Sequence, residues 1–147
     1  MDRTQATALL TEFGKLTGIE DIQLDDAGTG TIVVDKKILV SIGFDEIAGR
    51  LVLMGALDQA APDAAQMKML LRANFLWRGA GGANFALTPK DDVVTLLYPV
   101  PADATAAGLH DIFLSFVEML ECWQGRLAAT ETQAEPAASP LPSSMWG

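Results

Sequence analysis

The chain has 147 residues, half of them hydrophobic, with a net charge of −9 and a pI of about 4.4. That length builds one domain with a sizeable core, and the apolar content excludes a disordered chain. The acidic balance makes nucleic acid and anionic lipid poor partners, no apolar run approaches a membrane span, and the single cysteine, Cys122, points to a reducing, cytoplasmic compartment without an internal disulfide.

The opening Met-Asp-Arg-Thr-Gln has no basic segment ahead of an apolar run and is not read as a signal peptide. Residues 4–17 are predicted as the first helix. Ala6, Leu9, Leu10, Phe13 and Leu16 recur at three- and four-residue spacing and form one stripe, with Glu12 and Lys15 facing water. Asp2 or Thr4 caps its start, and Gly18 stands where a left-handed C-cap belongs. Residues 19–29 connect to three strands, at 31–35, 38–44 and 50–58, the first two joined by a tight hairpin through Asp35-Lys36-Lys37.

Strand alternation sorts these residues onto two faces. Ile32, Val34, Ile38, Val40, Ile42, Leu51, Leu53 and Leu57 form a dense aliphatic face, expected to be core against the first and last helices. The other face mixes Thr31, Ser41 and Arg50 with Val33, Leu39, Val52 and Met54, so that four apolar side chains stand among polar neighbours. Such a patch marks either a partner site or a surface shielded by a loop or a second copy.

A second helix is predicted to run to Arg78, with Asp63 as N-cap after Pro62. At 100° per residue it carries two apolar arcs rather than one: Leu70, Trp77, Ala73, Met69 and Leu76 on the first, Met67, Leu71 and Phe75 on the second. Lys68 and Arg72 separate the arcs on one side, Asn74 and Arg78 on the other. One arc serves the chain's own sheet. The second suggests another partner, the simplest being a second copy, which makes Met67, Leu71 and Phe75 the expected dimer interface.

Gly79-Ala80-Gly81-Gly82 ends that helix. Strands follow at 84–88 and 92–98 across the turn Pro89-Lys90-Asp91, and Pro99 and Pro101 break the sheet. The last helix, about 103–127, carries Leu109, Ile112, Phe113, Phe116, Val117, Leu120, Trp123 and Leu127 on one stripe. Each buried Leu, Ile or Phe there contributes roughly 1.5–3 kcal/mol before entropy is counted. Residues 1–128 are thus read as the folded domain and 129–147, rich in Pro, Ala and Ser, as a flexible tail. The tail closes on Ser-Ser-Met-Trp-Gly, either a docking peptide or an inert terminus.

No chemical site emerges. A Ser-His-Asp or Cys-His arrangement would have to use His110, the one histidine, which lies off the main stripe and three helical turns from Cys122. No Cys/His cluster has metal-ligand spacing, and Asp25-Asp26 and Asp91-Asp92 lie in turns, where aspartate is expected. The glycine run at 79–82 follows a helix and precedes a strand, the reverse of a phosphate-binding loop. Neither enzyme activity nor a cofactor nor a metal is expected.

The element order is α-β-β-β-α-β-β-α, an α+β fold with a twisted antiparallel sheet and helices packed on it. In this order the chain resembles the class I chaperones of bacterial type III secretion, the CesT or Tir-chaperone family. The resemblance covers roughly residues 3–128. It rests on Leu70-Leu71-Arg72-Ala73-Asn74-Phe75-Leu76-Trp77 with Gly-Ala-Gly-Gly-Ala and the strand at 84–87. The hairpin ending Tyr98-Pro99-Val100 and the Phe116-Val117-Glu118 and Trp123 of the last helix also fit.

The resemblance implies a cytoplasmic bacterial homodimer that binds the N-terminal segment of a secreted effector and helps present it to the secretion apparatus. The segment stays extended, pairing with a sheet edge and placing apolar side chains on surface patches. It also implies that the middle helix and the strand after it carry the dimer contact. Val33, Leu39, Val52 and Met54 are the expected effector-binding patch. The competing reading is a regulatory or adaptor domain on the same scaffold, acting on a folded partner.

Overall fold

A computed structural model describes residues 1–58 and 60–131. The elements are α1 (Arg3–Thr17), β1 (Thr29–Val34), β2 (Ile38–Asp45), β3 (Arg50–Ala56), α2 (Ala64–Asn74), a 3-10 turn (Phe75–Trp77), β4 (Asn84–Leu87), β5 (Val94–Pro99) and α3 (Ala106–Glu131). The predicted order holds. The strands form one antiparallel sheet in the order β1-β2-β3-β5-β4, so β5 returns past β4 to pair with β3.

The same device starts α1 and α2. Asp2 Oδ1 accepts from the Gln5 N–H at 2.8 Å while Gln5 Oε1 accepts from the Asp2 N–H, and Asp63 and Gln66 repeat the exchange. Gly18, at φ 72°, takes the left-handed C-cap of α1. The start of α3 falls later than the spacing suggests. Pro101 and Ala104 close a turn first, and the Thr105 hydroxyl accepts from the Gly108 N–H at 3.1 Å, so the helix begins at Ala106. It then runs four residues past Leu127, to Glu131. The expected tail coincides with this helix over 129–131 and lies outside the described residues from 132 on.

The aliphatic strand face is core except at its hairpin end, where Val34 and Ile38 are only partly buried against it. Ile32, Val40, Ile42, Leu51, Leu53 and Leu57 are buried with Leu96 of β5, beneath Leu10 and Phe13 of α1 and the Leu109–Leu127 stripe of α3. Phe13 meets Phe113 edge-to-face at 5.5 Å, and Phe85 meets Trp123 at 4.8 Å. Leu16 does not join this core. It is 56% exposed, in the last turn before the Gly18 C-cap, one turn beyond Phe13, which packs on Phe113 of α3.

The second helix departs most from the sequence reading. It stops at Asn74; Phe75 is extended, and Leu76 and Trp77 take left-handed φ values of 53° and 58°. Helical continuation to Arg78 would carry the glycine run away from the sheet, whereas the chain must deliver Asn84 to β4. The return is tight: the Gly79 N–H donates to the Ala73 carbonyl at 3.2 Å, and a β-carbon on Gly79 would sit 2.6 Å from the Ala73 Cα. Trp123 Nε1 of α3 pins the turn by donating to the Gly79 carbonyl at 3.1 Å. Leu76 and Trp77 are therefore exposed rather than part of the first arc with buried Leu70 and Ala73.

Gly55 marks the closest approach of β3 to α3. A β-carbon there would overlap both δ-carbons of Leu120, which is itself buried. Gly55→Val is expected to lower the unfolding free energy by about 1–3 kcal/mol, read as a drop in urea midpoint at unchanged m-value.

Candidate interaction surface

Both long helices occupy one side of the sheet, and among the described residues no helix covers the other side. The strand registers assemble that outer face row by row. One row runs Thr31, Ser41, Met54, Leu97, Asn84 across all five strands; the next runs Thr29, Gly43, Val52, Pro99; Val33 stands opposite Leu39 near the β1–β2 hairpin. The register thus places the four patch residues of the sequence reading on one face. Val33 and Leu39 are 59% and 60% exposed, while Val52 and Met54 are half-buried among their neighbours, Met54 leaning over Gly43. Leu97 and Pro99 of β5 extend the patch and were not foreseen. Their alternation was visible, but the pairing of β5 with β3 is a long-range choice that no local signal carries.

The two edges of the sheet differ. At β4 the Asn74 side chain acts as a surrogate strand: its Oδ1 accepts from the Phe85 N–H at 2.7 Å and its Nδ2 donates to the Phe85 carbonyl at 3.1 Å. At β1 the first outward pair is also occupied, by Asp25. The Asp25 N–H donates to the Thr29 carbonyl and its Oδ1 accepts from the Thr29 N–H, both at 2.9 Å. By strand alternation the next outward residues of β1 are Thr31 and Val33. Among the described residues nothing pairs with their backbone groups. Open backbone and open apolar side chains thus meet at Val33.

The second surface is the α2 ridge. Met67 is 41% and Leu71 69% exposed, four residues apart along one side of the helix, and Phe75, 54% exposed just past its end, leads with Leu76 and Trp77 around the kink. The opposite side of α2, with Leu70 and Ala73, is buried in the chain's own core. The two-sided character read from spacing is present up to Asn74. The kink then adds Leu76 and Trp77 to the exposed side.

Residues with chemical potential are dispersed. His110 lies on α3 with Nδ1 4.0 Å from the adjoining Asp111 carboxylate, and Cys122 is exposed. Among the described residues no group of three His, Cys, Asp or Glu is placed to hold a metal ion, and no helix is long and apolar enough to cross a membrane. A concavity of about 490 Å³ lies between α1 and the segment after it, lined by Leu10, Gly14, Ile19 and Ile22 among others.

A model of the Tir chaperone protein (CesT) family matches residues 8–124. No curated protein sequence matches the chain. The fold is similar to a chain of the HopA1–SchA chaperone–effector complex, at 18% identity and a TM-score of 0.73 over 84% of this chain and 95% of that one. It is similar to a chain of the ExsC–ExsE complex, at 21% identity and a TM-score of 0.74 over 95% and 100%. It is also similar to a chain of the Yersinia pestis type III secretion chaperone SycH in complex with a stable fragment of YscM2, at 24% identity and a TM-score of 0.64 over 79% and 97%. At these identities the likeness is one of fold.

Asn74→Ala leaves the Phe85 N–H and carbonyl without their side-chain partner. The expected outcome is a loss of about 1–3 kcal/mol in stability, with amide exchange at Phe85 accelerating more than at Leu96 of the adjoining strand.

Proposed function

The chain belongs to the Tir chaperone protein (CesT) family, and from that premise we propose that it is a cytoplasmic type III secretion chaperone. It binds the N-terminal segment of a secreted effector, keeps it soluble and non-globular, and hands it to the secretion apparatus. The observation that carries this reading is the junction at Val33 of an apolar sheet face and a strand edge that are both, among the described residues, without cover. A client segment in extended conformation adds to β1 through the backbone groups of Thr31 and Val33. Its alternate side chains then stand beside Val33 on the outer face, and client chain continuing from the edge crosses that face over Leu39, Val52 and Met54, with Leu97 and Pro99 as the far margin. Backbone pairing supplies affinity with little sequence demand, and the patch selects for apolar residues at every second position. No bond is made or broken, so the protein acts as a binding module rather than an enzyme and needs no cofactor.

The working unit is a homodimer joined through the α2 ridge, with Met67, Leu71 and Phe75 at its centre and Leu76 and Trp77 at its margin. A two-fold axis sets each ridge against the same ridge of the other copy. Each Leu-sized side chain covered there contributes roughly 1.5–3 kcal/mol before association entropy is counted. The fold similarity to chains of the HopA1–SchA, ExsC–ExsE and SycH–YscM2 complexes supports the reading of a partner-binding protein.

Two substitutions separate these surfaces. Met54→Asp places a charge on the sheet face where the client chain crosses it and is expected to abolish client recovery in co-expression pull-down while light scattering still reports a dimer; client recovery equal to wild type removes the patch assignment. Leu71→Asp is expected to give monomer or aggregate, and an unchanged dimer rejects the ridge as the pairing surface.

A further inference from the structure

β1 closes one end of the sheet, and its outward edge is charged unequally along its length. Asp25 and Asp26 flank the Thr29 end. Asp25 occupies the Thr29 backbone groups, and the Arg3 guanidinium donates to the carbonyls of both aspartates. Lys36 and Lys37 flank the Val33 end, in the turn to β2. Both are exposed and join no ion pair among the described residues. Asp35 shares that turn, so two cations stand there against one anion. Asp35 and Lys36 take left-handed φ values of 50° and 56°, a two-residue hairpin whose second place favours glycine; a lysine stands there instead. Between the two ends lie Thr31 and Val33, whose outward backbone groups pair with nothing among the described residues.

This edge is complementary to itself. Turned half a revolution, the edge of a second copy runs antiparallel and sets Thr31 of each copy opposite Val33 of the other. Both residues point their N–H and C=O outward, so each such pair exchanges both of its N–H···O bonds. The two-fold axis passes between the two Ile32 residues, which stay buried toward the inner side. Val33, 59% exposed, carries the apolar outer face of one copy into that of the other. The pairing stops at Thr29, which Asp25 already holds. The same register brings each Lys36–Lys37 turn to the Asp25–Asp26 end of the other copy. A parallel arrangement sets lysine against lysine and aspartate against aspartate, and like charges opposite one another destabilise a strand pair.

We propose that the β1 edge is a self-association surface, at which two copies pair antiparallel through Thr31 and Val33 and join their five-stranded sheets edge to edge. The occupant is a second copy of this chain. The contact is separate from the α2 ridge, which lies at the β4 end of the sheet, so chains paired through the ridge assemble further through β1. A contact of a few backbone hydrogen bonds is weak, and an extended guest that adds side-chain contacts displaces it. That displacement rests on the reading of the edge as a client site; the pairing does not.

The test uses the whole chain. In a Cys122→Ser background, an equimolar mixture of Thr31→Cys and Val33→Cys chains is expected to form a disulfide-linked pair on mild oxidation about tenfold faster than either variant by itself. The antiparallel register puts unlike positions about 5.5 Å apart at Cα, within disulfide reach, and like positions further away. In sedimentation equilibrium, Lys36→Glu with Lys37→Glu is expected to weaken association through β1 about tenfold, and mixing that chain with Asp26→Lys to recover most of the loss. Val33→Pro removes an open donor from an edge strand and is expected to abolish the same association with the far-UV circular dichroism unchanged. Equal linkage rates for the mixture and the single variants overturn the pairing, as does association indifferent to both Val33→Pro and the lysine reversal. Selective linkage of the mixture, together with a Leu71→Asp chain of unchanged mass, upholds the edge pairing and defeats the ridge instead. Selective linkage with client recovery untouched by Met54→Asp leaves the pairing standing and removes the client surface.

Discussion

Among the described residues, two long helices cover one face of a five-stranded sheet and no helix covers the other. α1 and α3 are locked to each other through Phe13 and Phe113 and to the strands through Leu120 over Gly55, so both are committed to the inner side. An antiparallel sheet tolerates such one-sided cover when its second face is polar. Here the second face is not polar: Val33, Leu39, Val52, Met54, Leu97 and Pro99 occupy it in register. The core and the open outer face are therefore two sides of one constraint, and any helix recruited to hide the outer face would remove the proposed client surface.

α2 serves the edge of the sheet rather than either face. Two amides do most of this work. Gln66 closes the capping box of its own helix and reaches the last turn of α3, and Asn74 pairs with the Phe85 backbone where a neighbouring strand would. The clamp has a cost, visible as consecutive left-handed residues at Leu76 and Trp77, a conformation that disfavours L side chains. The surrounding contacts, from Ala73 to Gly79 and from Gly79 to Trp123, hold it in place. The outcome is an aromatic knuckle facing solvent at the end of an apolar ridge.

A chaperone of this kind asks for open backbone and apolar area, not for a titratable constellation, and the two open features sit side by side on β1. Exposed edges and apolar patches are also aggregation hazards, which proteins limit with charge and with covering segments. The net charge of −9 supplies the first safeguard. Asn74 and Asp25 supply local ones by occupying the outward pairs at Phe85 and Thr29, confining the open edge to the residues beside the patch.

Periodicity and residue type along the chain revealed the elements and their order, the capping residues Asp63 and Gly18 and, with Thr4 as its alternative, Asp2, the inner aliphatic face, and the apolar side chains Val33, Leu39, Val52 and Met54 on the opposite one. It also separated Met67, Leu71 and Phe75 from the buried side of α2. These are local properties: side chains at fixed spacing share a face whatever the rest of the chain does. The tertiary structure alone decided that α2 breaks at Asn74, that Leu16 stays outside the core, that β5 sits beside β3, and that the open edge is β1 at Thr31 and Val33. Each of these depends on where a distant segment must arrive, such as Asn84 at the sheet or Thr130 at Gln66. Spacing along the chain carries no record of those distances, because they are set by which surfaces meet when the whole core closes.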